Sequence, residues 1–311
     1  MTTQAQQSVD RTTIGILFML AFCTFAPMMD ALAKATPAEV PVPQILAFRF
    51  AIQVAILMPL AAILGHSQRV TLGDLVRHVA RAAALLAATG CFFTALRYMP
   101  IADAISIFFV EPFVLILMGA IFLGEPVGWR RLSACAVGFG GALLVIRPSF
   151  SDLGLVAFLP LVTAALFAIY MLMTRAMARR LHPLVLQGHT ALAATVLIVP
   201  PLLLMEGTGN ALFDPIRPQG LAVWTLVGVG VVATISHLFL TYALRLAPAG
   251  TIAPLQYLEI VGATVIGYFA FGDFPTPLTW VGIAVIVASG LYVFERERRL
   301  ELRAKTPPPP V

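Results

Sequence analysis

The sequence predicts an all-α integral membrane protein with ten transmembrane helices, arranged as two inverted five-helix repeats. Three observations predict it: an apolar composition, a regular succession of apolar runs, and an internal repeat. Of the 311 residues, 59% are hydrophobic and 11% are charged, whereas soluble domains carry roughly 25% charged residues. Apolar runs of about 20 residues, long enough to span a bilayer, recur from end to end.

Pro, Gly and charged residues separate these runs and thereby predict the spans in order. The first half gives helices at 12–33, 43–64, 77–99, 102–122 and 128–147, and the second half gives helices at 154–174, 184–204, 221–244, 249–271 and 277–296. We therefore expect a first repeat at 12–147, a second repeat at 154–296 and a cytoplasmic tail at 297–311. The Pro-rich end of that tail predicts an unstructured segment.

Basic residues indicate the orientation. With a cytoplasmic N-terminus, fifteen of the 20 Lys and Arg residues fall inside, four fall outside and Arg49 lies within a span. Cytoplasmic loops of membrane proteins carry such an excess of positive charge. We therefore expect a multi-pass protein of a bacterial-type cell inner membrane with both termini cytoplasmic. The net charge of +5 then reflects topology, and no nucleic-acid partner is indicated.

The internal repeat is visible at a shift of 148 residues, which aligns residues 95–147 with 243–295 without a gap and brings Glu111 onto Glu259. Each predicted half holds an odd number of spans, so equivalent loops lie on opposite sides of the membrane. The charges of paired loops agree with this inversion. Inverted repeats are typical of secondary transporters, whose binding site lies near mid-membrane between the halves. The alternative is a duplicated structural bundle that transports nothing.

The repeated motifs resemble those of the drug/metabolite transporter superfamily, in its ten-helix EamA-domain form. The resemblance covers about residues 12–296 and rests on Ala-Leu-Arg-x-x-Pro at 95–100 and 243–248, a Gly-Glu turn at 124–125, and Arg49 in the second span. The stretch MDALAK at 29–34, followed by Gln44, is similar to the subset that includes bacterial riboflavin and S-adenosylmethionine carriers. The second copy departs from the family pattern at Asp273, where prolines follow and predict a stiffer turn.

Two glutamates are predicted near the bilayer midplane. Glu111 and Glu259 lie about ten residues into the fourth and ninth spans, which is about 15 Å at 1.5 Å per residue. A charged side chain there costs about 2.5–3.5 kcal/mol on insertion scales, so it is paired, protonated or facing a wet cavity. We expect one or both to take up and release a proton during transport. The alternative is a pair of protonated carboxyls that hydrogen-bond neighbouring helices.

Arg49 lies about seven residues into the second span and keeps its charge in proteins. It can hold an anionic group of a substrate, pair with Asp30 or Glu39 near the outer surface, or extend outward to water. A looser match of the opening helices of the two halves places His189 at the position of Arg49. Because a histidine gains and loses its proton near neutral pH, the charge at this site of the second half can change. The alternative is that His189 only forms hydrogen bonds at the membrane interface.

Polar and aromatic side chains along the spans complete the predicted path. Asp103 shares a helical face with Glu111, and His237 belongs to a Thr-rich stripe on the eighth span. Candidates to stack a flat ring are Phe92, Phe93, Phe108, Phe109, Tyr170, Tyr242 and Tyr257. Gln256 and Tyr257 stand where the first half has two Phe, and such differences between the halves are where we expect substrate choice. The alternative for each of these side chains is that it only packs against neighbouring helices or lipid.

Prolines are predicted to interrupt four spans, because each removes a backbone hydrogen bond and frees a carbonyl. They are Pro27, Pro112, Pro160 and Pro254. Pro112 follows Glu111 directly and is expected to kink the fourth helix beside its acid, either as a hinge or as a simple curve around neighbouring helices.

Motif searches exclude other classes. The sequence contains no GxxxxGK[ST] loop, no HExxH, no GxSxG and no CxxC, so nothing indicates ATP hydrolysis, a metal, a cofactor or an enzyme. We therefore predict a secondary transporter of a small organic metabolite that works by alternating access, with riboflavin import as the best assignment. The alternatives are an exporter of amino acids or related metabolites and an intramembrane lipid-modifying enzyme. Expected partners are the substrate and the lipid bilayer, with a homodimer left open.

Overall fold

A computed structural model describes residues 2–66, 71–123, 129–178, 180–247 and 255–305, and in this part of the chain it contains helices and no strand. Several sequence predictions fall outside the described residues: the Gly-Glu turn at 124–125, Pro248, Pro254 and the Pro-rich end at 307–310.

The helices follow the predicted order. The first half contains α1 (Thr2–Lys34), α2 (Val42–Ile63), α3 (Leu72–Leu96), α4 (Ile101–Phe108), α5 (Glu111–Leu123) and α6 (Trp129–Leu153). The second half contains a 3-10 turn (Gly154–Phe158), α7 (Leu159–Ala178), α8 (Pro183–Leu204), α9 (Leu221–Leu246), α10 (Leu258–Phe271) and α11 (Pro277–Lys305). Because α11 continues to Lys305, the first part of the predicted tail is helix that extends from the tenth span.

Among the described residues, eight helical segments are long and apolar enough to cross a membrane, and shorter apolar helices at Leu132–Ile146 and Leu258–Phe271 complete ten spans. The predicted all-α membrane fold of two five-helix repeats is therefore confirmed. Local signals explain several boundaries: a capping box of Thr71 and Asp74 begins α3, and Gly272 at φ +73° ends α10.

The two halves pack against each other in reciprocal pairs. The contact of α1 with α9 is matched by that of α7 with α3. In the same way, α2 with α9 is matched by α8 with α3, and α1 with α10 is matched by α7 with α5. The remaining large contacts, α2 with α8 and α6 with α11, join equivalent helices. Such pairing is what a two-fold relation between the halves produces, and it leaves the space between them as the natural binding site.

The fourth helix of each half is broken at the same position. α4 ends at Phe108, a turn holds Phe109, and α5 begins at Glu111; in the second half Tyr257 forms the turn before α10. Phe109 and Tyr257 are equivalent under the 148-residue shift, and their ring centroids lie 5.1 Å apart. The two breaks therefore contact each other.

The predicted interruptions by proline differ in outcome. Pro160 is the second residue of α7, where a missing amide breaks no helical bond, so that prediction is wrong. Pro27 lies inside α1 and removes a helical hydrogen bond as predicted, but the helix continues to Lys34. Pro27 does leave the Cys23 carbonyl without its helical donor. Gly262 of α10 packs against that point, where a Cβ would lie 3.2 Å from the Cys23 oxygen.

Candidate functional site

A cavity of about 70 Å³ lies between the two halves, which is smaller than the roughly 300–1,000 Å³ of typical small-molecule sites. It is lined from both halves by Phe22, Ala26, Met29, Asp30, Arg49, Ala88, Thr89, Phe92, Phe93, Phe108, Thr163, Phe167, His237, Gln256 and Glu259. The predicted site residues in this lining are Asp30, Arg49, Phe108, His237, Gln256 and Glu259.

Arg49 is fully buried, two turns into α2. Its Nη1 donates to Thr89 Oγ1 at 2.5 Å and its Nη2 lies 2.7 Å from His237 Nε2, while the guanidinium carbon lies 4.9 Å from the centre of the Phe50 ring. No carboxylate of the described residues lies within 4.0 Å of it. The cation is therefore held by neutral acceptors and an aromatic face, and its charge stays available to a ligand.

His237 lies on α9 and is also buried. Because a guanidinium can only donate, His237 Nε2 accepts the bond from Arg49 and the ring proton resides on Nδ1. His237 thus joins α2 of the first half to α9 of the second half across the cavity, as a neutral partner of a cation.

Two carboxylates lie in the same cavity. Asp30 stands one turn before the end of α1, and Glu259 lies in the first turn of α10. Both are buried, and Asp30 is near enough to feel the charges of Arg49 and Glu259. The positive end of the α10 dipole favours an anion at the position of Glu259. The cavity consequently holds one cation and two acids that face it from different helices.

Phenylalanines form the apolar wall. Phe108, at the end of α4, meets Phe92 at 6.0 Å and Phe167 at 5.3 Å between ring centroids, both edge to face. Phe22 and Phe93 extend the wall toward α1 and Arg49. A wall of flat rings beside a few polar groups suits a flat organic ring with a polar edge.

Five predicted residues lie outside the cavity lining. Glu111 is buried at the start of α5, near enough to Tyr257 for its charge to act on that ring. The Tyr257 hydroxyl lies against Gly290, Asp103 lies beside Thr279, and His189 Nδ1 donates to the Val185 carbonyl at 2.8 Å. The fifth residue is Tyr170.

Tyr170 belongs to a network around Arg81, one of the fifteen basic residues that the sequence places on the cytoplasmic side. The sequence does not predict this network. Arg81 is fully buried. It donates from Nε to Thr174 Oγ1 at 2.9 Å, from Nη2 to the Tyr170 hydroxyl at 2.9 Å and to Gln187 Oε1 at 3.3 Å, and from Nη1 to Thr190. The signal available in the sequence was its place nine residues into α3, among apolar neighbours. We call Arg81, Tyr170, Thr174, Gln187 and Thr190 the Arg81 network.

The Arg81 network connects to the cavity. Gln187 Nε2 donates to the His237 carbonyl at 3.0 Å, and His237 in turn accepts from Arg49. The network lies beyond the cavity, toward the end of the bundle at which α1 begins. It ties α3 of the first half to α7 and α8 of the second half.

At the other end of the bundle, where α1 ends, a salt bridge joins the two halves. Lys34 Nζ lies 2.7 Å from Asp273 Oδ2 and donates to the Met99 carbonyl at 3.0 Å. Asp273 is the acid of the second repeated turn, and it is held there because its amide donates to the Gly267 carbonyl. We call this contact the Lys34 bridge.

Two histidines stack between α2 and α8 at the end that holds the Arg81 network. The ring centroids of His66 and His182 lie 3.7 Å apart, with an 18° angle between the planes. Burial, followed by the neighbouring His66 and Arg245, lowers the pKa of His182 below its ordinary value. The His182 ring is therefore neutral at physiological pH, which permits the close stacking.

Comparison with known proteins identifies the family that the sequence matches. A family model described as the EamA-like transporter family matches residues 13–147 and 154–294. The riboflavin transporter of Rhizobium johnstonii is 29% identical over 228 residues, 72% of each chain. The pseudopaline exporter CntI of Pseudomonas aeruginosa is 31% identical over 88% of this chain and 93% of its own. The S-adenosylmethionine uptake transporter of Rickettsia prowazekii is 22% identical over 92% and 94%.

Proposed function

We propose, from the premise that this chain belongs to the EamA-like transporter family, that it imports riboflavin or a closely similar flat metabolite by alternating access. The chain is a small-molecule transporter, and the three relatives described above are named as two transporters and an exporter. The resemblance to EamA-domain carriers is thereby confirmed, and the alternative of a lipid-modifying enzyme is not supported.

Riboflavin fits the composition of the cavity. It is an uncharged molecule with a flat three-ring system, carbonyl and imide groups on one edge, and a chain of hydroxyls. Phe92, Phe93, Phe108 and Phe167 offer aromatic faces and edges to such a ring, while Arg49 and the two acids offer hydrogen-bond partners to the polar groups. The relative from Rhizobium johnstonii is a riboflavin transporter, which supports the same assignment.

The single observation that carries the proposal is the state of Arg49. Burying a cation is costly unless it is paired, yet in the described residues the partners of Arg49 are a threonine, a histidine and aromatic rings. Arg49 therefore does not form a structural ion pair with any of these partners. It suits a substrate with electron-rich oxygens, such as the flavin carbonyls.

The direct test is growth and uptake in a riboflavin-auxotrophic bacterium without its own riboflavin carrier. Expression of the protein should restore growth at low riboflavin, and labelled riboflavin should accumulate with saturable kinetics. Failure of cells that contain the protein in the membrane to take up riboflavin would reject this substrate.

Export of an amino-carboxylate metabolite is the second candidate, and one observation favours it. Arg49 faces Asp30 and Glu259 across one cavity, an arrangement that can hold the carboxylate and the ammonium of a zwitterion. A relative is named as a pseudopaline exporter. Efflux of labelled amino acids from preloaded cells, without riboflavin uptake, would favour this candidate.

Alternating access requires that each end of the path opens in turn. The Lys34 bridge ties α1 to the loop after α10 at one end, and the Arg81 network ties α3 to α7 and α8 at the other. Both sets of bonds join the two halves, and the cavity lies between them. We infer that the Lys34 bridge and the Arg81 network are made and broken alternately as the halves rock against each other.

The charges support a proposal for the orientation and the energy source. We propose that both termini are cytoplasmic, which puts the Lys34 bridge at the outer end and the Arg81 network at the inner end. Asp30 is near enough to Arg49 for their charges to interact, and Glu259 is near enough to Asp30. We propose that a proton on Glu259 accompanies the substrate.

A further inference from the structure

Three residues that line the cavity each have one buried polar atom with no hydrogen-bond partner within the described part of the chain. They are Nε of Arg49, Nδ1 of His237 and Oδ1 of Asp30. Arg49 Nε carries a hydrogen and is a donor. His237 Nδ1 is also a donor, since Nε2 of the same ring accepts from Arg49. Burial without a partner is unfavourable for such atoms, so their presence in one cavity indicates what a ligand has to supply.

The three residues form one local group. Arg49 Nη2 lies 2.7 Å from His237 Nε2, and Asp30 is close enough to Arg49 for their charges to interact. Two other polar lining groups are already engaged: Thr89 accepts from Arg49, and Thr163 donates to backbone carbonyls. Among Arg49, His237 and Asp30, the buried atoms without a partner are thus two donors and one acceptor.

A ligand that satisfies this set carries two acceptors and one donor. A cyclic imide offers that combination on one rigid edge, because an N–H stands between two carbonyl oxygens. The pyrimidine edge of a flavin is such an imide, and its ring is flat enough to stack on the Phe108 wall. Amino acids and simple anions lack a donor held rigidly between two acceptors.

We propose that Arg49, His237 and Asp30 recognise the imide edge of the substrate, with Asp30 accepting from the imide N–H and the two donors binding the carbonyl oxygens. This inference rests on riboflavin import as the function and deepens it by assigning one edge of the ring to three residues. The hydroxyl chain then extends away from this group, toward the remainder of the lining.

Analogue competition against labelled riboflavin uptake tests the assignment on the unmodified protein. N3-methylriboflavin lacks the imide hydrogen, whereas 5-deazariboflavin keeps the imide edge and is altered elsewhere in the ring. A site built to pair a donor rejects the analogue that lacks it. We expect N3-methylriboflavin to compete about 10- to 100-fold more weakly than riboflavin, and 5-deazariboflavin to compete equally well.

A variant pair then identifies the acceptor. Asp30→Leu keeps a side chain of similar size but removes the acceptor, so the preference for riboflavin over N3-methylriboflavin should fall toward one even though total uptake weakens. If the methyl group is rejected only for its bulk, Asp30→Leu retains the preference. Asp30→Asn keeps an acceptor oxygen and should retain the preference, and Glu39→Leu, on an exposed loop residue, is the matched control.

The outcomes separate this inference from the proposed function. Riboflavin uptake with equal competition by both analogues overturns imide recognition and leaves riboflavin import in place. Strong rejection of N3-methylriboflavin that persists in Asp30→Leu overturns the role of Asp30. Absence of riboflavin uptake by the wild-type protein overturns both.

Discussion

At the scale of single residues, Arg49 illustrates how position in the fold decides chemistry. Its place in an apolar span was evident from the sequence, and with it the need for partners. The partners themselves, Thr89 and His237, come from other helices and from both halves of the chain. Spacing in a sequence identifies neighbours along one face of a helix. It therefore predicted Arg49 as a site residue but could not predict which residues of other helices contact it.

The two glutamates show the same limit more sharply. Glu111 and Glu259 are equivalent in sequence and equally deep by count, yet only Glu259 lines the cavity. The side chains that stand at the two helix breaks also differ, Phe109 in the first half and Tyr257 in the second. Symmetry in sequence therefore predicted where both acids lie and could not tell which one faces the substrate.

This asymmetry supplies a matched pair of variants. If the proton that accompanies transport resides on Glu259, Glu259→Gln should flatten the dependence of riboflavin uptake on external pH, because an amide cannot titrate. Glu111→Gln should keep the wild-type pH profile. The measurement is initial uptake rate between about pH 5 and pH 8. A wild-type profile in Glu259→Gln, or a flat one only in Glu111→Gln, would contradict this assignment.

Arg81 provides a second residue-scale prediction. Arg81→Met leaves Gln187 Oε1 without its donor, which costs roughly 1–3 kcal/mol for a buried group, and it also removes the charged hydrogen bonds to Tyr170, Thr174 and Thr190. The purified variant should unfold at a clearly lower temperature than the wild type. Arg77→Met, one turn earlier on the same helix and exposed, should unfold at nearly the wild-type temperature because its surface ion pair contributes little. Equal unfolding temperatures for the two variants would rule out a stabilising Arg81 network.

At the scale of elements, the broken fourth helices were only half predicted. Pro112 suggested a kink beside Glu111, but the second half breaks at the equivalent Tyr257 with Ile260 in place of the proline. Proline is therefore not required for the break. The two turns contact each other through Phe109 and Tyr257. Local sequence accounts for the helix break in the first half only, whereas contact between the halves is present at both breaks.

Close helix contacts at glycines are a further element-scale feature, and α6 contains a matched pair. A Cβ at Gly138 would overlap Cε2 of the buried Phe113, whereas a Cβ at Gly140 has no described atom within 4 Å. Gly138→Ala should lower stability by about 1–3 kcal/mol through overpacking, and Gly140→Ala should leave it unchanged or slightly raised. Thermal unfolding of both purified variants measures this, and a Gly138→Ala variant as stable as Gly140→Ala would disprove the contact.

At the scale of the whole molecule, composition and the 148-residue shift were sufficient for the fold. Both are global properties that survive errors in any one boundary, which explains why ten spans in two repeats were predicted correctly while the effect of Pro160 was not. The cavity itself required the structure, because its lining comes from seven helices and Gln256. A single sequence cannot show which faces of those helices converge.

The proposed orientation is also a property of the whole molecule. A fluorescent protein that folds only in the cytoplasm should be bright at the C-terminus. Alkaline phosphatase fused after Gly209, in the exposed loop between α8 and α9, should be active because it reaches the outer compartment. Inactive phosphatase at Gly209 together with a dark C-terminal fusion would reverse the orientation and exchange the inner and outer ends of the path.

The central claim is that this transporter binds riboflavin in the cavity around Arg49, and uptake of labelled riboflavin by proteoliposomes tests it most directly. Purified wild-type protein and the surface control Arg77→Gln should both give saturable uptake of unchanged riboflavin. Arg49→Gln, which removes charged hydrogen bonds, should reduce apparent affinity roughly 10- to 100-fold. Wild-type uptake no greater than that of empty liposomes, or full affinity in Arg49→Gln, would contradict the account.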